Sequence, residues 1–239
     1  MIPRSAIVAW ACALAGVPAA FAGATWPDPQ DPPRSKVEWV SKDIRVNGLP
    51  TRIQHFESEL SVDEVLGFYR KRWTKAGVPE PREVSAAGWQ TIATLQDRYQ
   101  LLVQVRGRSP QGSEGMLSVA DLADMKSDYL PKEWPTWSNM RVLQVTESFD
   151  GPKRSHVISM VSDDGYDLNV RRVREEWLRR GYVLAHEQNN PAKAGQRGWV
   201  GIFDKASQSV DVTVTYSDDD RRTYITTNYV TATSTGVNR

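Results

Sequence analysis

The chain has 239 residues, 30 Lys and Arg against 29 Asp and Glu, a formal net charge of +1 and a single cysteine. That balance supplies no overall electrostatic pull toward nucleic acid or a polybasic attachment to membranes. The only thiol, Cys12, lies in an N-terminal segment expected to be removed. Disulfides, thiol catalysis and cysteine-ligated metals are therefore excluded together for the mature protein.

Residues 1–22 read as a signal peptide. Arg4 precedes an apolar run from Ala6 to Val17, too short to span a bilayer, and Ala20-Phe21-Ala22 places small residues before a cut ahead of Gly23. The expected location is the periplasm. Losing Arg4 leaves basic and acidic residues equal in number, and no later apolar stretch approaches membrane-helix length. Residues 23–36 carry four prolines and read as an extended leader.

A first module is expected over 37–125. Two strand-like stretches, 37–46 and 51–58, flank Asn47-Gly48, a strong hairpin signal. Ser61 followed by Glu64 has capping-box spacing, and Val62, Val65, Leu66, Tyr69, Trp73 and Ala76 fall on one helical stripe that Gly77 should close. Three further strands are expected at 88–95, 99–107 and 115–122. Residues 126–138 form a linker with two tryptophans and two prolines.

A second module over 139–232 repeats this order, ahead of a tail at 233–239. A hairpin turns at Asp150-Gly151-Pro152, and a helix follows with Tyr166, Val170, Val173 and Trp177 as its stripe and Gly181 as its stop. Strands are expected at 199–203, 210–216 and 223–230, after a long loop at "AHEQNNPAKAGQR". Trp73 matches Trp177, Gly77 matches Gly181 and Trp89 matches Trp199, which marks an internal duplication with these six residues as structural anchors. The expected fold is α+β: two tandem ββαβββ modules, each with one helix packed on an antiparallel sheet, cystatin-like by fold analogy.

Few residues suggest chemistry. His55, His156 and His186 have no metal-ligand spacing, although His55 and His156 occupy similar places in their hairpins. "GSEG" at 112–115 lacks the pattern of a nucleophile elbow, and "SDDG" and "SDDD" read as solvated turns rather than calcium loops. No cofactor is expected. The helices are basic away from their stripes, through Arg70, Lys71, Arg72 and Lys75 in the first and Arg171, Arg172, Arg174 and Arg179 in the second. These side chains are the candidate contacts for an anionic ligand.

The stretch "SVDEVLGFYRKRWTKAG" (61–77) is similar to one in a group of exported proteobacterial proteins that have a signal peptide and a helix ending in glycine between short strands. The second copy, "YDLNVRRVREEWLRRG", lacks the Phe-Tyr pair. The group carries no assigned activity, so the resemblance implies export and module organisation only. The expected function is a non-catalytic periplasmic binding or envelope-assembly accessory protein with an envelope protein partner. One alternative is a module that binds anionic envelope polymer or lipid through the basic helix faces. A second is a hydrolase with a site between the modules. Nucleic acid is not an expected partner.

Overall fold

A computed structural model describes residues 26–75, 79–132, 134–150, 152–190 and 196–232. The expected signal peptide, Gly77 and the tail at 233–239 lie outside the described residues. The elements are β1 (Ser35–Val46), β2 (Leu49–Ser58), α1 (Val62–Trp73), β3 (Arg82–Ala86), β4 (Trp89–Gln96), β5 (Tyr99–Gly107) and β6 (Ser113–Asp121). There follow β7 (Met140–Asp150), β8 (Lys153–Ser162), α2 (Tyr166–Arg179), β9 (Val183–Asn190), β10 (Gln196–Lys205), β11 (Gln208–Ser217) and β12 (Arg222–Ala232).

The expectation of two ββαβββ modules is corrected, and the cystatin-like analogy falls with it. The strands form a 12-stranded antiparallel sheet, and among the described residues 57% are strand and 15% helix. One physical reason is a strand directly after each helix that the sequence pattern hides. Residues 82–85 of β3 are exposed, as are most of the described side chains of β9. Without one buried face, neither shows the period-2 alternation that identifies a strand. The stretch taken as a loop, "AHEQNNPAKAGQR", contains most of β9 and the start of β10.

Two compact units are distinguished, one of Met1–Ile44 with Leu49–Met125 and one of Arg45–Gly48 with Lys126–Arg239. Strand order in the first is β3-β4-β5-β6-β2-β1, and in the second β9-β10-β11-β12-β8-β7. In the first unit α1 begins with the capping box: Ser61 Oγ accepts from Glu64 N at 3.3 Å, and Glu64 Oε2 accepts from Ser61 N at 2.8 Å. Two amides that no helical carbonyl can reach are thereby satisfied. Val65, Leu66, Tyr69 and Trp73 are buried against Phe56, Ile92, Leu101, Val103 and Val105. The helix ends at Trp73, short of Gly77.

In the second unit α2 buries Asn169, Val173 and Trp177. Gly165 offers no side-chain cap. Asn169 Nδ2 donates to the carbonyls of Asp164 and Gly165, at 2.9 and 3.0 Å, and ties the first turn to the preceding loop. The helix stops where expected. Gly181 has φ +81, a left-handed conformation that glycine adopts without a Cβ penalty, and its N–H reaches Leu178 O at 2.9 Å while Tyr182 N reaches Trp177 O at 3.1 Å. Trp199, Phe203, Val210, Val212, Val214 and Ile225 complete the core. Gly201 permits this packing, because a Cβ there would lie 2.3 Å from Trp199 Cη2. Among the described residues, no helix is long and apolar enough to cross a membrane.

Candidate functional site

The residues that line a cavity of the first unit come from parts of the chain far apart in sequence. The proline-rich leader supplies the first. Tyr69 of α1 donates its hydroxyl to Gln30 O at 2.7 Å and fixes the leader against the helix. Burial raises the Tyr69 phenol well above its ordinary pKa, with the Asp31 charge adding to the effect, so the group is a permanent donor. Trp26 packs against Tyr99 with ring centroids 5.3 Å apart. The leader is thus part of the first unit's core surface and covers the same sheet face as the helix.

The sheet supplies the floor. In β2 and β6, Arg52 pairs with Val119 and Gln54 with Leu117, all on the helix-covered face with Phe56. The Arg52 guanidinium lies 4.5 Å from the Trp26 ring centroid, and its Nε is buried with no hydrogen-bond partner among the described residues. Trp39, on β1, is 47% exposed and stands at the rim, with Lys42 Nζ 4.8 Å from its centroid. These side chains, with residues 26–31, enclose a half-open groove of about 510 Å³. That volume lies within the range of small-molecule sites. Asp31 has its pKa raised by burial and then by the neighbouring Asp28 charge.

The corresponding place in the second unit is filled. β2 and β8 each have ten residues, and Arg52 and His156 are both fourth in their strands. Val119, opposite Arg52, corresponds to Tyr229, opposite His156. Trp134 replaces Trp26 as the covering ring and lies 5.7 Å from Trp177 and 6.2 Å from Tyr229, with Trp177 and Tyr229 themselves 6.2 Å apart. His156 stacks on Tyr229 at 6.4 Å and pairs across the strand with Glu147, whose Oε1 is 2.5 Å from Arg154 Nη2. Burial lowers the His156 pKa, as does the Arg154 charge, against a smaller opposing effect of Glu147.

The eight basic candidates divide into paired and unpaired groups. Arg70 forms a two-pronged pair with Glu83 at 2.7 and 2.9 Å. Arg172 pairs with Asp164, Arg174 with Glu187 at 3.6 Å and Arg179 with Glu176 at 2.7 Å. Lys71, Arg72, Lys75 and Arg171 are exposed, and Arg72 and Lys75 line a second cavity of about 430 Å³ with Asp28 and Gln96. The acidic turn before α2 is occupied internally: Asp163 binds Arg222 at 3.1 Å and Asp164 accepts from Asn139 at 3.2 Å. Among the described residues, no three His, Cys, Asp or Glu side chains are grouped to hold a metal.

Of the structural anchors, Trp73, Trp177 and Trp199 are buried at 7, 3 and 0% exposure. Trp89 is different. It is half-buried, and it alternates with the buried Ile92 so that it faces away from the helix, under the Arg106 guanidinium at 4.5 Å. Counting from the β4–β5 and β10–β11 turns, the residue matching Trp199 is Gln90, opposite Val105 as Trp199 is opposite Val214. A shift of one residue exchanges sheet faces. The histidine match fails in the same way: His55 adjoins buried Phe56 and points to the other face from it, whereas His156 is core. His186 is exposed on β9.

Sequence reasoning passed over the groove, yet a signal was present. Trp26-Pro27 and Trp134-Pro135 precede the two units, and both tryptophans cover the corresponding sheet face. No family model, curated protein or solved structure matches the chain.

Proposed function

We propose that this chain is a non-catalytic binding protein of the cell envelope, exported by its N-terminal segment and acting as an accessory factor there. The groove of the first unit carries the reading. Two units of the same strand order place different side chains at the same position, and one of them keeps about 510 Å³ open beside a buried arginine nitrogen without a partner. An unsatisfied buried donor is costly, but Trp134 Nε1 and His156 Nδ1 in the second unit also lack partners among the described residues, so the open volume beside Arg52 carries the reading. The ion pairs of Arg70, Arg172, Arg174 and Arg179 favour this groove over the helix faces as the site, since their charge is already compensated.

The test is capture from envelope extract by the wild-type chain and by Val119→Tyr, which copies the side chain that fills the second unit. Capture by wild type at both low and high salt, lost in the variant while circular dichroism is unchanged, is the expected result. Equal capture by both proteins removes the groove from the function. Capture only at low salt, and only by a chain with its basic helix residues intact, would transfer the function to the helix faces.

A further inference from the structure

We infer that the groove of the first unit binds a neutral glycan, with a pyranose ring stacked on Trp39 and its hydroxyls held by Arg52, Gln54 and the leader carboxylates. This rests on the binding reading above and names its ligand class.

The chemistry of the lining decides between classes. Two carboxylates, Asp28 and Asp31, are balanced by Arg52 in the lining and Lys42 at the rim over Trp39, so the groove is close to neutral and offers an anionic ligand no net attraction. A cationic ligand would be repelled by Arg52 and Lys42, which already lie over the Trp26 and Trp39 rings at 4.5 and 4.8 Å. A wholly apolar ligand would bury Arg52, Gln54 and both carboxylates without partners, at a cost for each polar group. A neutral polyhydroxylated ligand meets none of these objections. Its hydroxyls donate to Asp28 and Asp31 and accept from Arg52 and the Gln54 amide, which can also accept.

The indoles supply the remaining requirement. A pyranose has one face of C–H groups that packs flat on an aromatic ring while its hydroxyls point outward to hydrogen-bonding side chains. Trp39 is 47% exposed at the groove rim, so part of its indole is available for a ligand to cover. Tyr69 holds the leader through Gln30, which keeps Asp28 and Asp31 in place before ligand arrives. Preorganisation of this kind reduces the entropy lost on binding.

The experiment is calorimetric titration and tryptophan-fluorescence titration of the purified exported chain with three defined tetramers. They are β-1,4-linked N-acetylglucosamine, β-1,4-linked glucose and galacturonate. The expected result is saturable binding of at least one neutral tetramer and none of galacturonate at physiological salt. Trp39→Ala, at an exposed position that leaves the fold intact, should weaken binding about tenfold or more. Val119→Tyr should abolish it. Failure of both neutral tetramers to bind overturns the inference, as does tighter binding of galacturonate or binding unchanged in Trp39→Ala. If both neutral tetramers fail while Val119→Tyr still removes capture of material from envelope extract, the glycan assignment falls and the binding function stands.

Discussion

The two units share a strand order and differ at one place on the sheet. In the first, Arg52, Gln54 and Val119 leave a groove under Trp26; in the second, His156, Ile158 and Tyr229 lie under a covering made with Trp134 and Trp177. The two units therefore share a backbone topology while side-chain size decides whether space is open. The valine-to-tyrosine difference between positions 119 and 229 is the largest change of volume at this place. It also separates a unit built to hold itself together from one with room for something else.

The comparison can be tested from its most energetic contact downward. Trp199→Ala should destabilise the protein by about 3–5 kcal/mol, the range for large buried aromatics, and it also removes the hydrogen bond that Glu187 accepts from Trp199 Nε1 at 2.8 Å. Trp89→Ala, the partner expected from sequence, should cost less than about 1 kcal/mol because that ring is half-exposed on the other face. Urea unfolding of the pair measures both, and equal losses would overturn the one-residue offset between the units.

Glycines offer a second contrast. Gly201→Ala should cost about 1–3 kcal/mol, since the added methyl meets the Trp199 ring at 2.3 Å and the strand must shift. Gly67→Ala in α1 should stabilise by roughly 0.5–1 kcal/mol, because the new Cβ meets nothing within 4 Å and glycine is a poor helix former. Thermal melts of the two variants should therefore shift in opposite directions.

The smallest effect is on pH dependence. His156 has a folded-state pKa below its ordinary value of 6.5, so the unfolded chain binds its proton more readily. Stability from this residue is complete above about pH 6.5 and declines as the pH falls from there toward the folded pKa. His156→Phe should flatten that part of the stability curve. An unchanged acid-side slope in His156→Phe would show that the decline comes from other groups.

Local signals were legible because their physics is local. The Asn47-Gly48 turn has φ of +50 and +81, as an Asn-Gly hairpin turn requires. Ser61 and Glu64 satisfy each other's amides within one helical turn, and the stripes Val65, Leu66, Tyr69, Trp73 and Val173, Trp177 follow from helical periodicity. β3 and β9 were illegible because strands without one buried face lack a pattern to read. The groove was illegible because it joins residues 26–31, 39, 52–54 and 117–119, which are neighbours only after the strands have paired.

By itself, then, the amino-acid order pointed to the two helices with their apolar stripes, the Ser61–Glu64 capping box, the Gly181 stop and the Asn47-Gly48 turn. Each depends on contacts among residues a few positions apart. Tertiary structure alone decided how many strands each unit has, which face Trp89 and Trp199 take, and where space remains. A strand's side chains alternate between faces, so a single-residue change of register sends them to opposite environments, and register is set by partners distant in the chain.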